Sequence, residues 1–178
     1  PVLKVDEEIL FESNAIAEYL DEVVPPRLHP EDPLNRAKNR AWTDFVPTFA
    51  GAISSIHYSK TKEDMETAVA NVQDKLAKVE AALAGRGNDG PYFNGPELAL
   101  VDAAYAPFLQ RYTFVDKVLN NDVLKDYQLI KAWADTLLSD PRVTGAVPDN
   151  FEDEFVAGIK RREVYAAQFF NDASVAAE

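Results

Sequence analysis

The chain has 178 residues, with no cysteine and only two histidines, His29 and His57; its 18 lysines and arginines are outnumbered by 30 aspartates and glutamates. Each shortage removes a class of function. Without cysteine there is no disulfide and no thiolate zinc site, and two histidines cannot build a histidine-rich centre, so no metal is expected. The net charge of −12 argues against nucleic acid as a partner, because phosphate contacts need clustered Lys and Arg. Its plain meaning is solubility. No apolar run approaches the roughly 18 residues of a membrane helix and no signal-like start is present, so no membrane partner is expected and a cytoplasmic location fits. The turn-rich stretch Gly90-Pro91-Tyr92-Phe93-Asn94-Gly95-Pro96 lacks the Lys-Ser/Thr of a phosphate loop and reads as a connection with buried aromatics. There is no repeat and no low-complexity tract.

What is present suffices for a core: 47% of residues are hydrophobic, and the length suits one domain, or one domain and part of another. The segment Pro1 to Asp21, PVLKVDEEILFESNAIAEYLD, is the most informative. Pro1, Val2, Leu3 and Val5 read as a strand, Asp6 to Glu8 as a hairpin tip, and Ile9 to Phe11 as the partner strand. Ser13 stands where an N-cap belongs, ahead of Ile16, Ala17 and Leu20 at helical spacing. A helix N-terminus has unpaired N–H groups and partial positive charge, which suit an anion, and Ser13 adds a hydroxyl. Glu12 adds a carboxylate that suits a cation. The pair matches a zwitterionic, amino-acid-like ligand end; the plainer reading is an ordinary cap beside a solvated glutamate.

Pro25, Pro26, Pro30 and Pro33 close this unit off as a linker, in which His29 reads as solvated. Leu34 to Lys60 is predicted as a long helix with Pro33 at its first turn, an apolar face of Trp42, Phe45, Val46, Phe49, Ile53 and Ile56, and a kink or interruption from Pro47. Thr61 is predicted to cap a second helix on which Met65, Val69, Val72, Leu76, Val79 and Leu83 recur at steps of three and four. Leu98 to Leu119 is a nearly all-apolar, central helix, with Asp102 reaching back to the N–H of Ala99 as a structural cap. Tyr127 to Leu138 is another helix, Asp140-Pro141 starts a short one, and Phe151 to Phe170 is the last. The tail, 171–178, reads as frayed. Asp116, Asp122 and Asp126 read as a solvated loop face.

PVLKVDEEILFESNAIAEYLDE, followed by RLHPEDPLNRAKNRAW and by LALVDAAYAPF around Asp102, resembles the glutathione transferase family, nearest in wording to omega-like and related bacterial members. The resemblance runs along nearly the whole chain and begins partway through that family's N-terminal domain. It implies a mostly α fold: a partial thioredoxin-like α/β domain (a β-β-α remnant) at 1–24, a linker at 25–33 and an all-helical C-terminal domain at 34–178. It implies glutathione as co-substrate, with Ser13 and the helix start taking the γ-glutamyl carboxylate, Glu12 its ammonium, and Pro1 matching a cis-proline that shapes the strand facing the peptide. It also implies a homodimer and conjugation to an electrophilic, hydrophobic small molecule. The catalytic Tyr, Ser or Cys is expected upstream of Pro1, so no residue here is assigned to thiol activation. Two other readings stay open: a thiol oxidoreductase of the omega or dehydroascorbate reductase type, and a non-catalytic interaction module.

The resemblance also makes the helix after the linker one wall of the electrophile pocket. Phe45, Phe49, Tyr58 and Tyr112 are its candidates, with the two tyrosines as hydroxyl donors, although an aromatic stripe at helical spacing also describes plain core. Arg111 reads as one half of a salt bridge, and His57 as a helix-end or pocket-rim residue.

Overall fold

The computed structural model describes residues 1–170, so the expectation for the tail lies outside the described residues. Strands β1 (Val2–Val5) and β2 (Glu8–Phe11) form an antiparallel hairpin in the register Val2↔Phe11 and Leu3↔Leu10. Asp6 takes φ 51° in its tip. Helix α1 (Ser13–Val23) follows. The helical part then runs α2 (Pro33–Tyr58), α3 (Lys62–Asn71), α4 (Gln73–Ala84), α5 (Leu100–Leu119), α6 (Gln128–Ser139), α7 (Pro141–Thr144) and α8 (Phe151–Arg161). Short 3-10 turns lie at Val123–Asp126 and Tyr165–Phe170.

Local chemistry sets most of these boundaries. Asp32 caps α2, accepting from the Asn35 N–H at 2.8 Å, with Pro33 in the first turn where its missing N–H costs nothing. Thr61 caps α3 through the Asp64 N–H, and Asp140 caps α7 through the Arg142 N–H. The α6 cap comes from far away. Both oxygens of Glu80, on α4, accept the N–H groups of Leu129 and Ile130 at 2.9 Å.

Helices α2 and α5 are the middle of the core. Phe49, Ile53, Val101, Tyr105 and Leu109 are fully buried between them, and Val72, Leu76, Val79, Ile130 and Trp133 close in from the sides. Asp102 is 0% exposed and receives three donors: the N–H of Ala99 at 2.7 Å, the N–H of Phe93 at 2.9 Å and the indole N–H of Trp133 at 2.6 Å. It is the structural cap its spacing predicts, and it also pins α6 and the loop before α5. Burial raises its pKa and the three donors pull it down.

Four expectations fail here. The helix α2 runs unbroken through Pro47, whose ring is exposed while Val46 and Phe49 on either side of it are buried. The second predicted helix is two, α3 and α4, meeting at fully buried Val72. The last helix stops at Arg161, because Glu163 takes φ 50°; the chain re-forms as a 3-10 turn anchored by the Tyr165 N–H on the Ser59 carbonyl at 2.8 Å. Asp116 is not part of a solvated face: its carboxylate accepts the N–H groups of Asn121 and Asp122 and closes the turn after α5, with desolvation raising its pKa.

Candidate functional site

The β2–α1 turn carries Glu12 and Ser13. Glu12, and not Ser13, is the N-cap residue, and Ser13 is the first helical residue. The one-residue shift comes from the backbone of Glu12, at φ 68°, ψ 121°. A β-carbon makes that conformation costly, and such residues persist where the surroundings hold them, often at functional sites. The Glu12 side chain makes no capping hydrogen bond; its carbonyl accepts the Ile16 N–H at 3.0 Å. Both side chains are exposed, no acidic residue fills the first turn of α1, and the turn therefore presents a positive helix end, a hydroxyl and a free carboxylate together. Pro1 is exposed and adjoins β1.

Behind the turn, α1 is fastened by side chains the sequence did not single out. Glu18 accepts His29 Nε2 at 2.7 Å through one oxygen and Arg40 through the other, at 2.5 and 3.0 Å. The hydrogen bond from Arg40 is the main reason the Glu18 pKa is lowered, with His29 adding to it. Asp21 accepts the N–H groups of Leu28 and His29, and Asn14 donates to Asp44 on α2 at 3.2 Å. His29 is thus 7% exposed and not a solvated linker residue. An open groove of about 450 Å³ runs along this seam, lined by Asn14, Tyr19, Glu22, Arg40 and Thr43 among others.

The four pocket candidates do not converge. Phe49 is fully buried against Tyr105, ring centres 5.0 Å apart. Tyr112 is 3% exposed, and its hydroxyl accepts the Val123 N–H at 3.0 Å, so it holds the loop after α5. Phe45 is half-buried beside Trp42, with the Lys78 ammonium 4.3 Å from its ring centre. Tyr58 is 37% exposed beside His57 and below the Arg162 guanidinium. Phe45 and Tyr58 keep accessible surface, whereas Phe49 and Tyr112 are core. Arg111 is in no salt bridge among the described residues; it donates to the Pro107 carbonyl at 2.8 Å and lies over Phe151 and Phe155. His57 is at a helix end but not at a rim, being 1% exposed.

Comparison with known proteins gives this geometry a context. The family model described as glutathione S-transferase, C-terminal domain, matches residues 39–136. A maize protein named glutathione transferase GST 23 is 30% identical over 166 residues, which cover 91% of this chain and 72% of the maize protein. A rice protein named probable glutathione S-transferase GSTU6 is 28% identical over 160 residues, 84% of this chain and 68% of its own length. Among solved structures, rice GST1 in complex with glutathione superposes with a TM-score of 0.70 at 26% identity, covering 90% of this chain and 75% of the rice chain.

Proposed function

The chain belongs to the glutathione transferase family, and from that premise we propose that it binds glutathione at the β2–α1 turn and serves its conjugation to a small electrophile. The observation that carries the reading is Glu12, held at φ 68° directly before a helix N-terminus whose first turn has no acid of its own. Glutathione is a peptide whose γ-glutamyl end bears a carboxylate and an ammonium. The carboxylate accepts from the Ser13 hydroxyl and the first free N–H groups of α1, and the ammonium faces the Glu12 carboxylate. The Glu12 carboxylate and the start of α1 are adjacent in the chain and opposite in charge, which supports a ligand end that carries both charges.

Glu12 and Ser13 bind and orient; neither is placed to activate the thiol. The thiolate attacks an electrophilic carbon, forming a carbon–sulfur bond while that carbon's bond to a leaving group breaks and the group departs with the electron pair; the acceptor is an apolar molecule to which Phe45 and Tyr58 are the wall candidates. The division at 25–33 belongs to the same reading: 1–24 as part of a thioredoxin-like domain, 34–178 as the helical domain. A homodimer is expected, and light scattering on the purified protein checks it.

Changing Ser13 to Ala removes one hydrogen bond to a charged group, about 1.5–3 kcal/mol, or roughly a 10- to 150-fold loss in glutathione affinity. Calorimetric titration reads this directly. Unchanged affinity in the variant would refute the placement.

A further inference from the structure

The loop before α5 holds the only asparagine-glycine pair in the chain, Asn94-Gly95. Such a pair invites an internal reaction. The backbone nitrogen after an asparagine can attack the side-chain amide, and a following glycine leaves that nitrogen unshielded and its backbone free to bring it into line. The fold restrains both groups. Tyr92 and Gly95 bond to each other twice across a tight turn, through the Tyr92 N–H at 2.9 Å and the Gly95 N–H at 3.3 Å. The attacking nitrogen is therefore engaged with a carbonyl.

The Asn94 amide is held from α2. Asn39 Nδ2 donates to Asn94 Oδ1 at 3.1 Å, and Asn94 Nδ2 donates back to Asn39 Oδ1 at 2.7 Å. Asn39 is 2% exposed, and Nδ2 also donates to the Asn35 carbonyl at 3.1 Å, so both of its N–H groups are used. Asn94 itself is exposed, and both asparagines lie on the wall of an open cleft of about 720 Å³ between residues 27–30, α2 and α4. Water and hydroxide reach Asn94 there.

We propose that Asn94 is a self-modification site, converting to aspartate or isoaspartate through a succinimide at a rate set by its pairing with Asn39. The Gly95 nitrogen gives its proton to hydroxide and attacks Cγ of Asn94. The new N–Cγ bond closes a five-membered ring. The Cγ–Nδ2 bond breaks, and its electron pair leaves with the nitrogen, which takes a proton from water and departs as ammonia. Water then opens the ring at either carbonyl, so one water is consumed for each ammonia released. Before the attack, the Gly95 N–H must leave the Tyr92 carbonyl and the Asn94 amide must leave Asn39, so the reaction runs from a locally opened loop. Its product cannot restore the pair. A carboxylate only accepts, which leaves Asn39 Oδ1 facing another oxygen, and turning the Asn39 amide over moves that clash and gives up the bond to Asn35. Phe93, the preceding residue, donates its N–H to Asp102, so the conversion weakens a loop that Asp102 pins. None of these residues belongs to the β2–α1 turn, and the site does not rest on the glutathione reading.

The test incubates the intact protein in mildly alkaline buffer made with ¹⁸O-labelled water and maps its peptides by mass. Conversion is expected at Asn94 ahead of the other asparagines, with ¹⁸O incorporated at that residue. Asn39→Ala removes the pairing and is expected to speed conversion at least about fivefold. Val79→Ala loosens the buried core without touching the pair and is expected to leave the rate within about twofold. On the unaltered protein, the side-chain amide protons of Asn39 and Asn94 are expected to exchange with solvent more slowly than those of exposed Asn120. No conversion at Asn94, an unchanged rate in Asn39→Ala, an equal acceleration by Val79→Ala, or Asn94 amide protons that exchange as fast as those of Asn120 would each overturn the proposal.

Discussion

Asp102 shows how one side chain can organise a fold. Its two oxygens satisfy three buried donors from three different segments. Asp102→Ala strands all three, at about 1–3 kcal/mol each for an unsatisfied buried group, so a loss of at least about 3 kcal/mol is expected in denaturant unfolding. Asp102→Asn keeps one acceptor oxygen and should lose roughly half as much. His57 carries a second expectation, on pH. Its folded pKa is about 4, below the 6.5 of a free histidine, so the unfolded chain binds the proton more readily and stability falls as pH drops from about 6.5 towards 4. The linkage amounts to about 2–3 kcal/mol between pH 7 and pH 4.5. Unfolding curves of the native protein and His57→Leu, compared at the two pH values, should show that part of the slope vanish in the variant. At this scale the sequence is readable where partners are close in the chain. The bond from Asp102 to Ala99 spans three residues and follows from helix-start spacing. The bond from Trp133 spans 31, and nothing local announces it.

Among the elements, α1 carries the proposed glutathione position at its first turn. Two strands and eleven helical residues bury little on their own, and Val2, Ile9 and Phe11 are exposed, Phe11 by 68%. What holds α1 to the helical part includes the Glu18 carboxylate between His29 and Arg40. Glu18→Ala leaves His29 buried with no partner and should cost about 1–2 kcal/mol. Hydrogen exchange should localise the effect, with faster exchange in α1 and no change in α5, and glutathione affinity should fall although Glu18 is not expected to touch the ligand. Equal loosening of α5 would contradict that division. The same long-range logic hides the cap of α6, where Glu80 arrives from 49 and 50 residues away. By contrast, the Thr61 cap and the Pro33 start lie within a few residues of what they govern, and both are legible. The end of α8 is not, because nothing in the apolar spacing of Phe155, Ile159 and Tyr165 reports the left-handed backbone at Glu163.

For the molecule as a whole, the apolar periodicity of the helices finds α2 and α5 as the centre, since a helix buried on several sides must be apolar on several sides. It does not separate pocket wall from core, because the stripe that marks Phe49 as a wall candidate marks it equally as core, and Phe49 is fully buried. Phe49→Ala should therefore cost about 3–5 kcal/mol in global stability, a packing loss visible in thermal unfolding and not a selective loss of substrate binding. The proposed reception of glutathione by Glu12 and the start of α1 involves both parts of the molecule, since Arg40 on α2 fastens α1. It is tested most directly by mapping amide chemical shifts while glutathione is titrated into the intact, isotope-labelled protein. The largest shifts are expected on the backbone N–H groups of Ser13, Asn14 and Ala15, with little change along α5 and α6. Saturable shifts centred anywhere else, or none at all, would contradict it.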